Sequence, residues 1–224
     1  MSHFANTNTL FVFDIDGTLT DSVPMYLMAV TNAMYALGIK EIDTDYNAYK
    51  HHSDSYALRF NYERNFEIPY TKEILTLFEK ALIEEMKTFS PVTEIKGAGR
   101  FIDFLKTAKI PFCFATGSLP KPALLKMEQS GIWCDEAVLA TSKTHEARTG
   151  FVAEAIEKAK KYYATSGFSK IISVGDGVWD LKTAKEMSLD FVGIGSKNKK
   201  ELIKLGAQHY FDSIEELQSY FFSD

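Results

Sequence analysis

Four consecutive apolar residues, Leu10-Phe11-Val12-Phe13, run straight into Asp14-Ile15-Asp16-Gly17-Thr18, which carries two carboxylates and a glycine. A short apolar run bounded by turn residues reads as a buried strand, so a strand is predicted to end in a pair of aspartates. The period then changes. Val23, Leu27, Val30, Met34 and Leu37 recur at three- and four-residue steps, the mark of a helix that Ser22 can cap, Pro24 helps to start and Gly38 stops. A shorter helix with a polar entry is expected over 51–66. Ile74, Leu75, Phe78, Leu82 and Met86 form the stripe of a second long helix, from Thr71 to Ser90-Pro91. Residues 21–90 thus read as an all-helical block.

From Gly97 the texture alternates. Helices are predicted around Phe101 to Ala108, over 122–129, 152–163, 181–187 and 201–205, and after Ser213, where Glu216 is spaced for a capping box. Strands are predicted at 111–115, 137–140, 171–174 and 191–194, with a further segment at 209–211. Apolar strands alternating with helices imply an α/β fold, a mostly parallel sheet covered on both faces. A lone strand at 10–13 must join that sheet. The chain is therefore read as one Rossmann-like sheet domain, residues 1–20 and 91–224, with a helical cap domain inserted at 21–90.

Composition fits an ordinary globular chain: 224 residues, 46% hydrophobic, 25% charged, formal net charge -5. The mildly acidic balance offers no basic stripe for nucleic acid, and the lysine clusters at 158–161 and 197–200 read as solvated helix faces. No apolar run approaches the ~18 residues of a bilayer span, and residues 1–6 do not resemble a signal sequence. A cytoplasmic monomer or homodimer with no membrane or nucleic-acid partner is expected. Cys113 and Cys134 read as core or near-core thiols.

Two carboxylates one residue apart cannot both lie dry and unpaired, because each isolated buried charge costs several kcal/mol. A divalent cation is the simplest compensation. Two further predicted strand ends, where open α/β sheets bind ligands, carry matching chemistry. Thr116-Gly117-Ser118 offers a hydroxyl, a close backbone approach and free N–H groups for phosphoryl oxygens. Gly175-Asp176-Gly177-Val178-Trp179-Asp180 adds two more carboxylates, hard oxygen ligands of the kind magnesium takes.

On these residues the chain resembles the haloacid dehalogenase superfamily of aspartyl phosphotransferases, in its branch with a helical cap of the first type, the branch of phosphoglycolate phosphatase and beta-phosphoglucomutase. Asp14 to Leu19 with Asp21-Ser22 match its first motif, Thr116-Gly117-Ser118 its second and Gly175-Asp176 to Asp180 its fourth. The resemblance implies Asp14 as nucleophile and Asp16 as general acid and base. It implies Mg2+ held by the Asp14 side chain, the Asp16 main-chain carbonyl and Asp176, with Asp180 beside them, and phosphate cradled by Thr116, Gly117 and Ser118. The family's third motif supplies a lysine, and here Lys143 and Arg148 are the candidates. Arg148 is preferred, since Arg148-Thr149-Gly150-Phe151-Val152 leads straight into a helix and is similar to a branch that uses arginine. In the cap, His52, Asp54 and Arg59 are the expected substrate contacts, while His3, His145 and His209 are given no role. The implied activity is a magnesium-dependent phosphatase acting on a small phosphorylated metabolite. A sugar phosphomutase and a non-catalytic phosphometabolite-binding protein are the alternatives.

Overall fold

The computed structural model describes residues 8–195 and 197–222; the readings made on residues 1–6, His3 among them, lie outside these. Strand β1, Thr9–Phe13, is buried along its whole length. A tight turn follows at Asp14 to Thr20, in which the amides of Leu19 and Thr20 both donate to the Ile15 carbonyl, at 2.9 and 3.0 Å. The two-residue strands β2, Thr20–Asp21, and β3, Thr93–Glu94, pair antiparallel and carry the chain into and out of the helical block. That block holds α1 (Val23–Ala36), α2 (Asp54–Phe66) and α3 (Lys72–Met86).

The rest alternates as expected: α4 (Ala98–Thr107), β4 (Phe112–Ala115), α5 (Pro120–Gln129), β5 (Leu139–Ala140), α6 (Arg148–Tyr162), β6 (Lys170–Gly175), α7 (Val178–Glu186), β7 (Asp190–Ile194), α8 (Lys199–Lys204), β8 (His209–Phe211) and α9 (Ile214–Phe222). The sheet order is β5-β4-β1-β6-β7-β8, and every neighbouring pair is parallel. Parallel pairing needs helical crossovers, and these cover both faces. Phe11 and Phe13, two residues apart and so on one face of β1, meet α4 and α9. Phe13 packs edge-on against Phe101 at 6.0 Å and Phe11 against Phe221 at 5.7 Å. On the sheet side α6 packs against β4 and β5. Burying each such ring contributes about 1.5–3 kcal/mol.

The helical block has its own core, in which Val30, Met34, Leu58, Phe78, Leu82 and Met86 are buried together with Leu119 from the sheet domain. Three local readings need correcting. Ser22 occupies the N-cap of α1 but makes no capping bond, because its backbone is helical rather than extended; its hydroxyl donates to Asp16 at 2.5 Å. The strand predicted at 137–140 is mostly a single 3-10 turn, Glu136–Val138, leaving two strand residues. Helix α6 starts at Arg148, four residues earlier than the apolar pattern indicated. Cys113 is buried and Cys134 half-buried, both as free thiols. Among the described residues no helix is long and apolar enough to cross a membrane.

Candidate active site

The sheet register brings the polar strand ends together. The Asp14 amide donates to the Val174 carbonyl at 2.9 Å, so β1 and β6 end side by side and Asp14 and Asp176 become neighbours. Gly17 makes that approach possible. Its φ is +80°, and a Cβ there would lie 2.5 Å from Asp176 Oδ2. Asp14, Asp176 and Asp180 each contribute a carboxylate oxygen to a group lying within 4.8 Å of one another. Asp14 and Asp180 are buried.

One cation stands among these three acids. Arg148, at the first residue of α6, donates from Nη1 to Asp14 Oδ1 at 3.0 Å and to Asp180 Oδ1 at 2.6 Å. Its burial works against its charge, but Asp180 and Asp14 more than offset that and hold it protonated. The balance remains negative. Burial first, then repulsion from Asp14, pushes Asp176 up to about 7. Burial and the neighbouring acids push Asp14 upward as well, and burial followed by Asp176 does the same to Asp180. Asp180 also accepts from the Gly177 amide at 3.0 Å. Two buried polar atoms of the cluster, Asp176 Oδ1 and Arg148 Nε, have no hydrogen-bond partner.

Asp16 faces another way. Its carboxylate accepts from Ser118 Oγ at 3.0 Å and from Ser22, and both its oxygens lie 2.6 Å from Lys126 Nζ. Burial raises its pKa, but the Lys126 charge and these hydrogen bonds win, so the carboxyl sits below its ordinary value. Thr116 Oγ1 accepts from the Ser118 amide at 3.1 Å, closing the turn after β4.

Asp14, Asp16, Thr116, Gly117, Ser118 and Arg148 all border one cavity of about 280 Å3. His52 and Asp54 border it from the cap. His52 stacks on Trp179 with ring centres 4.3 Å apart. Burial and the nearby charges of Arg148 and Lys182 push its imidazole down to about 4, so the ring is neutral at pH 7. Asp54 Oδ2 accepts from the Tyr26 hydroxyl at 2.5 Å and from the Leu119 amide at 2.8 Å, which spends it on joining cap to core. Two residues expected at the site are elsewhere. Lys143 is exposed and does not border the cavity. Arg59 grips Glu146 through Nε at 2.6 Å and Nη2 at 2.8 Å, a bidentate bridge between cap and core outside the cavity.

Lys126 was missed by sequence reasoning. It is completely buried on α5, with Nζ also 3.6 Å from the centre of the Tyr26 ring. The signal was available: Pro122, Ala123 and Met127 share its buried helical face, where a lysine demands a partner. The other lysine of this helix, Lys121, which precedes Pro122 in the first turn of α5, is exposed.

A strand ending in Asp14 at the centre of a parallel sheet, acids from the next strand and a helical cap together define a cap-bearing α/β protein with an acidic site at its strand ends. The haloacid dehalogenase-like hydrolase family model matches residues 9–188, and the chain belongs to that family. A hydrolase from Pseudomonas syringae shares the fold at 20% identity and a TM-score of 0.72, covering 95% of this chain and 97% of that one. So does the HAD hydrolase, family IA, variant 3 from Entamoeba histolytica, at 17% identity and 0.67, covering 93% and 94%. CbbY from Rhodobacter sphaeroides, solved in complex with phosphate, aligns at 16% identity and 0.66, covering 93% and 95%. No curated protein matches the sequence.

Proposed function

We propose that this hydrolase is a divalent-cation-dependent phosphatase, acting on a small phosphorylated metabolite through an aspartyl phosphate on Asp14. The observation that carries the reading is the meeting of Asp14, its cationic partner Arg148 and the Thr116-Gly117-Ser118 turn on the floor of one cavity that Asp16 also borders. A CbbY structure with bound phosphate and another with xylulose-(1,5)bisphosphate support a phosphate ester as the ligand of this fold's cavity.

An Asp14 carboxylate oxygen attacks phosphorus, and the P–O bond to the alcohol breaks. The bonding pair leaves on the alcohol oxygen, which takes a proton from Asp16. Water then attacks the phosphorus of the acyl phosphate, Asp16 takes the water's proton, and inorganic phosphate departs with Asp14 restored. Lys126 favours the Asp16 carboxylate, the form that the second half needs, so the proton for the first half is one that Asp16 keeps from the water of the previous turnover or takes from the monoprotonated ester. Arg148 offsets the charge of Asp14 against the incoming phosphoryl group, and its unpartnered Nε is a donor for a phosphoryl oxygen.

The acidic cluster fits a hard cation. It offers only oxygen ligands, carries more negative charge than Arg148 neutralises, and leaves Asp176 Oδ1 unpartnered. Asp14 and Asp176 would hold Mg2+ with the Asp16 main-chain carbonyl, Asp180 lying beside them. The bound ion supplies charge neutralisation between carboxylate and phosphoryl oxygens. The test is phosphate release from p-nitrophenyl phosphate with Mg2+, followed by the same assay on Asp14→Asn. Release that vanishes in the variant is expected. A folded wild type that releases nothing from a broad panel of phosphate esters overturns the reading.

A further inference from the structure

The cavity's floor is polar, but its walls are not. Val23, Leu27 and Val30 from α1 and Ala57 from α2 face it with hydrocarbon. Three tyrosines complete the wall, and each hydroxyl is already used within the protein. Tyr26 donates to Asp54 at 2.5 Å, Tyr46 bonds Thr31 at 3.0 Å, and Tyr49 donates to the Asp43 carbonyl at 2.5 Å while accepting from Asn61 at 2.6 Å. The Ser53 hydroxyl is likewise engaged, donating to the Glu146 carbonyl at 2.8 Å. His52 lies flat against Trp179.

Among the described residues, the cations bordering the cavity are Arg148 and Lys197, both from the sheet domain. The cap's own charged lining residues are Asp54 and Asp45, both acids. A polyol would bury most of its hydroxyls against this hydrocarbon and against tyrosines already engaged, with Thr44, His52 and the two cap acids the polar groups left to meet the rest. An apolar pocket rejects an added hydroxyl by about a hundredfold.

From this we infer that the substrate is a phosphomonoester of an apolar alcohol or phenol, carrying one hydrophobic ring or branched chain. A cavity of roughly 150 Å3 accepts a benzene ring, so one of about 280 Å3 has room for a phosphoryl group and one such ring. The inference rests on the phosphatase reading for its assay but not for its binding argument.

Cyclohexylmethyl phosphate and glucose 6-phosphate form the discriminating pair. Both are monoesters of a primary alcohol on a six-membered ring, so leaving-group reactivity is nearly matched and the ring hydroxyls are the main difference. The expected result with Mg2+ is a kcat/KM at least tenfold higher for cyclohexylmethyl phosphate, and the same order of affinities by calorimetry on Asp14→Asn. Equal values, or a preference for glucose 6-phosphate, overturn the inference. If neither ester is hydrolysed, a tenfold tighter affinity for cyclohexylmethyl phosphate still upholds the inference while the phosphatase reading falls. Leu27→Gln, at a half-buried wall position, is expected to cut the preference about tenfold, and Leu27→Met to keep it. A folded Leu27→Gln protein with the full preference also counts against the apolar wall.

Discussion

Asp16 and Lys126 form a salt bridge in which one partner is entirely buried, and such pairs are valued chiefly by what their breakage leaves behind. Lys126→Met strips Asp16 of its cation and is expected to destabilise the fold by about 3 kcal/mol. Adding Asp16→Asn removes the stranded charge, so the double variant should lose at least ~1 kcal/mol less than the two single losses added together. Urea unfolding of the four proteins measures this, and strict additivity would contradict the pairing. The same two residues show how far the sequence could be read. Asp14, Asp16 and Asp176 were legible because carboxylates at strand ends are chemically conspicuous. For Lys126 only the need for a partner was legible, from its place on a buried helix face; the partner itself lies 110 residues away and only the folded chain shows that they meet. Ser22 failed for a related reason: its residue type suits a helix cap, but the turn that sets its hydroxyl on Asp16 leaves its backbone out of the extended conformation a cap needs.

At the scale of elements, the start of α2 is pressed against the turn after β4. The Asp54 amide donates to the Gly117 carbonyl at 2.8 Å, and a Cβ on Gly117 would sit 2.3 Å from the His52 carbonyl oxygen, which is backbone and cannot swing aside. Gly117→Ala should therefore hold the cap off the core, with a fall of about a hundredfold in kcat/KM and little change in melting temperature. Unchanged kinetics in that variant would mean that the cap need not seat here. Strands and long helices were readable because their periods of two and 3.6 are written in apolar residues. The beginning of α6 was not. The apolar pattern begins only at Val152, yet the helix starts at Arg148, where the ion pairs with Asp14 and Asp180 hold that residue. Cap residues were the least legible, because Arg59 and Asp54 take partners from the other domain.

For the whole molecule, the acidic cluster sets a pH dependence whose sign follows from its direction. Asp176 titrates at about 7 in the folded protein against an ordinary 3.8, and Asp14 and Asp180 are shifted the same way. Groups raised on folding stabilise at low pH and lose that contribution as pH climbs through the folded value. Metal-free protein should thus lose stability between pH 4 and 7, and Asp176→Asn should flatten part of that slope. A cation competes with those protons, so the gain in melting temperature from excess Mg2+ should be small at pH 5 and full above pH 7. An equal gain at both ends would sink the assignment of the cluster as a metal site. The central place of β1 has a different consequence, for synthesis. Its partners β4 and β6 lie about 100 and 160 residues further along the chain. At 5–20 residues per second, a ribosome takes roughly 8–30 s to deliver the later one. Until β4 follows, after roughly 5–20 s at that rate, the Leu10-Phe11-Val12-Phe13 segment has no strand to pair with, while α1, α2 and α3, which have a core of their own, are already made. The lid is complete before the floor it closes over exists.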